Sequence, residues 1–290
     1  MKRQAAWLAL GAAMALACGS SAPPAAHAAA RIVTLLPNLT EIVVALGAGE
    51  RIVGCTSYCP REGLRTEVAV VGAPLGPNLE RIAALRPDLI LLQDTQRAWR
   101  DRLRAMNLRA VEVPGQSMAD VFAAVRTIAG LLDVADTGER LNKRLKGELD
   151  DVAQRVAGAR PLRTLLVIGH DPGALREIFL AGRGTFIDRL LQIAGGANAL
   201  EASPVAYPKV GVEEVLRVNP QAVFVLAPDE NDTPAAQERE ARLWSALAYL
   251  DAVKNGRVYL VTGRDVMTPG PRMADTAAHF ARLLHPEAWR

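Results

Sequence analysis

The segments "PNLERIAALRPDLILL" (residues 77–92) and "KVGVEEVLRVNPQAVFVL" (residues 209–226) repeat one arrangement 133 positions apart. Each reads as a short helix that opens with an acid, stops at a proline and runs at once into an apolar stretch. The acid stands seven residues before the proline both times, Glu80 before Pro87 and Glu213 before Pro220. A proline bars continuation of the helix, and an uninterrupted apolar run suits a strand covered on both faces. A chain that carries this unit twice is constrained to two similar α/β halves.

The remainder of the sequence fits that frame. From Arg31, "RIVTLL", "RIVGC", "DLILL" and "RAVEV" read as strands, separated by the helical stretches "TEIVVALGAG", "NLERIAAL", "TQRAWRDRLRAM" and "SMADVFAAVRTIAGLLD". After Pro161 the alternation restarts with "RTLLVIG", "QAVFVL" and "RVYLV" as strands and "GTFIDRLLQIAGG", "GVEEVLRV", "QEREARLWSAL" and "PRMADTAAHFARLL" as helices. Between the two series lies "TGERLNKRLKGELDDVAQRVA", with Leu141, Leu145, Leu149, Val152 and Val156 on one stripe and dense charge elsewhere. That spacing predicts one amphipathic helix. The expected fold is therefore α/β: two Rossmann-like lobes with mostly parallel sheets, bridged by a single long α-helix. The expected boundaries are residues 31–136, 137–160 for the bridge, and 161–290.

Residues 1–30 stand apart. Lys2 and Arg3 precede an apolar run and a small-residue tail ending in "AHAAA", the pattern of a secretory signal. Cys18 in "ALAC" offers the alternative of a lipid-anchored cysteine. The reading is a periplasmic protein, soluble after signal removal or else anchored at Cys18. Without the two basic residues of that segment the formal net charge falls from +3 to 3 − 2 = +1. With no dense Lys/Arg run, nucleic-acid binding is excluded on charge grounds.

The familiar catalytic signatures are missing: the sequence contains no GxSxG, HExxH or P-loop, and "GAGERI" lacks the third glycine of a dinucleotide fingerprint. What the chain offers is a set of polar and aromatic residues just beyond strand ends, where open α/β sheets hold ligands. Those candidates are Asn38, Tyr58, Trp99, His170, Tyr207, Asp265 and Thr268. Each also has a plainer role: Asn38 and Thr40 as helix caps, Trp99 and Tyr207 as packing groups, His170 as a satisfied strand-end side chain. Cys55 and Cys59 in "GCTSYC" read either as a small-loop disulfide, permitted in an oxidising compartment, or as two free thiols. Glu80 and Glu213, taken alone, are acids well placed against a helix dipole.

Taken together, "RIVTLLPNLTEIVVALGAGERIVGCTSY", "PNLERIAALRPDLILL", "GTFIDRLLQIAGGANAL", "GVEEVLRVNPQAVFVL", "VKNGRVYLV" and "PGPRMADTAAHFARLLHPE" resemble the periplasmic substrate-binding proteins of cobalamin, haem and ferric-siderophore ABC importers. The resemblance covers residues 31–290. It implies a binding protein rather than an enzyme, with no cofactor of its own, monomeric when free, holding a small-molecule metal chelate between its lobes. It also implies permease subunits as partners, met by one acid on each lobe, which here match Glu80 and Glu213. "LLPNLTE", "VGCTSY" and the closing "PGPR…LLHPE" look most like the vitamin B12-binding members, whose tyrosine after the second strand matches Tyr58. The segment from Arg264 to Thr268 matches another contact region. The expected cargo is thus a corrinoid, with haem or a ferric siderophore as the alternative; for haem the resemblance implies Tyr58 or His170 as an iron ligand. One departure is visible: where B12 binders place a tryptophan before "NLERI", this chain has "GAPLG".

Overall fold

The computed structural model describes residues 29–200, 203, 205–228 and 232–289. Of the expected signal segment only Ala29 and Ala30 are among the described residues, and Cys18 lies outside them. The first lobe runs β1 (Ile32–Thr34), α1 (Pro37–Ala45), β2 (Ile52–Cys55), β3 (Ala69–Val70), a small hairpin of β4 (Gly72–Ala73) and β5 (Gly76–Pro77), α2 (Leu79–Ala84), β6 (Leu89–Gln93), α3 (Arg97–Ala105), β7 (Ala110–Val113) and α4 (Met118–Leu131). Its main sheet has the order β3-β2-β1-β6-β7 with every pairing parallel. All five residues of β6 are buried, as expected for a strand covered on both faces.

Helix α5 (Ala135–Arg155) leads to the second lobe. It begins two residues before the expected bridge and ends five residues before that segment's limit. The stripe read from the sequence, Leu141, Leu145, Leu149, Val152 and Val156, is buried throughout. The second lobe runs β8 (Leu162–Gly169), β9 (Ile178–Leu180), α6 (Phe186–Ile193), β10 (Gly196–Asn198), β11 (Lys209–Val210), α7 (Val212–Val218), β12 (Ala222–Ala227), α8 (Pro234–Ser245), α9 (Asp251–Lys254), β13 (Val258–Thr262) and α10 (Met273–Leu284). The sheet order is β11-β9-β8-β12-β13, with β10 also on β8. Strand β9 pairs antiparallel with both β8 and β11, and the other pairings are parallel. Among the described residues, no helix is long and apolar enough to cross a membrane.

The repeat seen in the sequence is a repeat in three dimensions. Just past the end of α2 stands Arg86 and just past α7 Asn219, both with positive φ (46° and 39°) and both followed by proline. A left-handed residue closes a helix by satisfying its last carbonyls, and the proline prevents extension. In the first lobe the Arg31 guanidinium donates to the carbonyl of Leu85 (2.6 Å), while Asp88 accepts from the Arg31 backbone N–H (3.0 Å). In the second lobe the Arg163 guanidinium donates to the carbonyl of Val218, and Gln221 accepts from the Arg163 backbone N–H (3.0 Å). Each helix end is thus stapled to the strand beside the one it feeds.

The lobes share one core and each keeps another of its own. One contiguous apolar cluster takes in Ile32 and Leu91 of the first lobe, Leu145 of α5, and Phe224 and Phe280 of the second; a separate cluster lies within the first lobe around Ile82 and Leu103 and another within the second around Leu165 and Trp244. Helix α5 packs on α4, α6 and α10. Dense packing of this kind transmits strain rather than absorbing it, so the shared cluster around α5 couples the two lobes.

Candidate functional site

Strands β2 and β13 carry the chain into loops that face each other across the lobe boundary. After β2, the Thr56 hydroxyl donates to the carbonyl of Leu35 (3.4 Å), the Ser57 N–H to Gly72 (2.9 Å) and the Cys59 N–H to Thr56 (3.1 Å). The turn so fixed leaves the Tyr58 side chain 59% exposed. After β13, Gly263 takes a φ of 113°, and the turn closes by Thr268 N–H donating to the carbonyl of Asp265 (3.0 Å) and the Thr268 hydroxyl to that of Arg264 (2.7 Å). Between these loops lies a cavity of about 540 Å³, lined by Pro37, Ser57, Tyr58, Cys59, Arg61 and Pro74 from the first lobe and by Pro228, Arg264, Met267 and Thr268 from the second. Its position at strand C-termini, between two lobes, is where α/β proteins hold ligands. Pro74 is anchored from below, because the buried Gln96 amide donates to its carbonyl (2.8 Å).

Of the residues proposed from the sequence, this cavity brings together Tyr58 and Thr268. Asn38 is buried, and its amide donates to the carbonyl of Pro269 (3.1 Å), so it ties α1 to the opposite lobe rather than capping its own helix. Thr40 likewise does not cap: its hydroxyl meets Thr34 (2.6 Å) and the carbonyl of Leu36. Trp99 lies half-buried on α3 beneath the Arg102 guanidinium (4.9 Å to the ring centroid). Tyr207 is half-exposed in the loop before β11, and Asp265 is half-buried with its backbone carbonyl closing the turn. Neither lines the cavity.

His170 faces a different, larger cavity of about 840 Å³ in the second lobe, between the ends of β8 and β12 and helix α8. Its Nε2 lies 2.9 Å from Glu240 Oε1, and its Nδ1 lies 2.9 Å from the carbonyl of Asp171. Both ring nitrogens face acceptors, so only the doubly protonated ring satisfies both. The Glu240 hydrogen bond raises the His170 pKa, against the opposing effect of burial. Burial acts to raise the Glu240 carboxyl, yet hydrogen bonds from His170 and Trp244 and the histidine charge bring it below the usual carboxylate range. The imidazole is thereby committed to a structural ion pair.

Cys55 and Cys59 are buried free thiols, so the bridge that the sequence allowed is not formed. The Thr56 hydroxyl lies 3.3 Å from the Cys59 sulfur. The Cys55 thiol lowers the Cys59 pKa to about 6, with help from Thr40 and Thr56, and the same contact pushes Cys55 up. The three residues between them, Thr56, Ser57 and Tyr58, form the turn that presents Tyr58.

On the hinge side of the cleft the lobes touch directly. Arg272, at the start of α10, meets Glu41 of α1 at 2.5 Å. Burial raises the Glu41 pKa, and the arginine's hydrogen bond and charge oppose that rise. A second inter-lobe cavity, about 470 Å³, has Glu41, Glu62, Glu148 and Asp275 among its lining together with Arg144 and Arg272. Charges of both signs meet there.

Glu80 and Glu213 are both exposed in the first turns of α2 and α7. Among the described residues neither makes an ion pair, whereas the neighbouring Glu214 is held by Arg217 (2.6 Å). Arg61, which sequence reasoning missed, lines the cleft two residues past Cys59. Its signal was weak, a lone arginine in a polar loop, but it stood next to the tyrosine already singled out.

Comparison with known proteins places this architecture. A vitamin B12-binding protein of Vibrio cholerae is 25% identical over 88% of this chain and 89% of its own length. An uncharacterised ABC-transporter substrate-binding lipoprotein of Bacillus subtilis is 26% identical over 90% of this chain and 81% of its own. The solved periplasmic haem-binding protein of Roseiflexus superposes with a TM-score of 0.74 at 23% identity, covering 89% of this chain and 98% of that one. The model of the periplasmic binding protein family matches residues 32–264, the two sheets, the long helix between them and the cleft, and the chain belongs to that family.

Proposed function

We propose that the chain is the substrate-binding component of an ABC importer, that it captures a corrinoid in the inter-lobe cleft, and that it presents the loaded cleft to the permease through Glu80 and Glu213. The carrying observation is Tyr58, a large aromatic ring left 59% exposed on a rigid turn at the wall of the cavity. Such exposure wastes apolar surface unless a partner covers it, and a flat conjugated ligand does so by stacking. The B12-binding relatives supply the ligand class. The docking role is supported by two exposed carboxylates, without ion-pair partners among the described residues, at equivalent points of the two lobes. The function so read is capture and delivery in the periplasm, not catalysis.

A second reading keeps the same architecture and changes the cargo to haem or a ferric siderophore. It is favoured by the guanidinium groups of Arg61 and Arg264 on the cavity wall. The test is titration of the purified protein with cyanocobalamin, haemin and a ferric siderophore by calorimetry and visible absorption. The corrinoid should release heat and saturate at one equivalent, and Tyr58→Ala should weaken it by about threefold to tenfold. No heat from the corrinoid, beside a shifted Soret band with haemin, overturns the first reading in favour of the second.

A further inference from the structure

Two contacts that cross between the lobes beside the cleft form one unit. Asn38 and Glu41 stand three positions apart on α1 and so share a helix face. Their partners, Pro269 and Arg272, are also three positions apart, on the segment that enters α10. The Asn38 amide donates to the Pro269 carbonyl (3.1 Å), and the Arg272 guanidinium donates to Glu41 Oε1 (2.5 Å). Gly270 lies buried between the two partners and allows this approach. A Cβ at that position would stand 3.1 Å from Glu41 Oε2 and 3.6 Å from the Asn38 Cβ.

The unit stands on the wall between the two inter-lobe cavities. Three segments line both of them, each with successive parts of its chain. Helix α1 gives Pro37 to the cleft of about 540 Å³ and Glu41 to the cavity of about 470 Å³. The loop after β2 gives Cys59 to the cleft and Pro60 to the other cavity, and the α10 entry gives Thr268 and Pro271 in the same way. Helix α5 contributes Arg144 and Glu148 to the second cavity and nothing to the cleft. Outward from α5 the order is therefore second cavity, crossing contacts, cleft. Because α5 sits in the apolar cluster that both lobes share, it is the fulcrum, and contacts between fulcrum and cleft act on the cleft with leverage.

The chemistry of the unit makes it reversible. The Glu41 side chain is nine-tenths buried, and its Oε2 has no hydrogen-bond partner among the described residues. Taking a carboxylate out of water is costly, and the pairing with Arg272 offsets that cost only in part. As the lobes part, the carboxylate and the guanidinium both recover water, so little free energy separates the joined and parted states. On the reading of the cleft as the site of capture, we infer that Asn38, Glu41 and Arg272 are positioning residues. They form a latch that sets the separation of the lobes and, through it, the rate at which cargo leaves. None of the three lines the cleft, so they act through lobe geometry rather than by touching the cargo.

The experiment uses the full chain with spin labels on the exposed Ala84 of α2 and Ala241 of α8, one on each lobe. Pulsed electron resonance gives the inter-lobe distance, and stopped-flow mixing gives the dissociation rates of cyanocobalamin and haemin. The parent should show one narrow distance. Glu41→Gln should broaden that distribution, move it to longer distance and speed dissociation of the bound probe by about tenfold. Gly270→Ala should act in the same direction by forcing α1 away. Adding Arg272→Gln to Glu41→Gln should change nothing further, since both remove one contact, whereas Arg272→Lys, which keeps the charge, should fall between the parent and Glu41→Gln. An unchanged distance distribution in Glu41→Gln overturns the latch, and so does an unchanged rate; a lowered melting temperature alone would mark a merely structural contact. If neither probe binds the parent, the capture reading of the cleft fails, while the distances still test the latch by themselves.

Discussion

Helices α2 and α7 occupy the same place in their lobes: each opens with an exposed acid, closes on a left-handed residue before proline, and is stapled by an arginine of the adjacent strand to that helix end. Away from these helices the lobes part. The first has an all-parallel main sheet, the Cys55–Cys59 thiol pair and Tyr58. The second adds antiparallel β9 and β11, a buried His170–Glu240 pair and the Arg264 turn. Duplication persists where the backbone must turn and where an acid must face outward. It is lost where side chains meet the cavity, because a single ligand presents different groups to its two sides. On this reading the lobes duplicate the delivery surface and divide the recognition surface.

The sharpest way to break the comparison is to ask whether the lobes are separate at all. Phe224 packs on Phe280 at 4.9 Å in the same apolar cluster that contains Leu91 of the first lobe. Phe224→Ala should cost about 3–5 kcal/mol and Leu91→Ala about 2–5 kcal/mol. Both should lower the midpoint of one calorimetric transition. Two resolved transitions, with each substitution moving only its own, would show that the lobes fold as independent units.

That cohesion bears on what could be read in advance. The strand–helix alternation, the apolar stripe on α5 and the doubled α2 and α7 units depend on local pattern, and they are legible. Strands β9 and β10 are not, being three residues each, and Phe179 in the middle of β9 points outward. Tyr58 is legible because the polar turn around it gives no core to hide in. His170 read equally well as a cleft residue, and its commitment to Glu240 depends on a partner 70 positions away. The Asn38 tie is hidden for the same reason, with Pro269 a further 231 positions along the chain. Arg61 and Arg264 became a pair only when folding set the β2 and β13 loops face to face.

A smaller effect separates the lobes by pH. The His170–Glu240 pair belongs to the second lobe, with both side chains about nine-tenths buried. The raised His170 pKa gives stability that is present in full below its unfolded value and is lost as pH rises through the folded value. The depressed Glu240 pKa gives stability that is present above its unfolded value and is lost as pH falls through the folded one. The pair therefore stabilises in full between the unfolded pKa of Glu240 and that of His170, and its contribution is gone below the folded pKa of the first and above that of the second. Glu240→Gln should cost about 1–3 kcal/mol within that window and flatten the melting temperature against pH on both sides of it. A profile that keeps both limbs in the variant would assign them to other groups.

The smallest effect on the fold, and the most telling for function, should come from Glu80→Ala combined with Glu213→Ala. Both side chains are exposed and unpaired among the described residues, so the melting temperature should not move. The measurement is uptake of the cargo by the reconstituted importer, alongside cargo affinity by calorimetry, for each single variant and the double. Uptake should fall in both singles and vanish in the double while affinity stays within about twofold of the parent. Normal uptake by the double variant, or affinity lost together with uptake, would contradict a duplicated delivery surface set apart from the cleft.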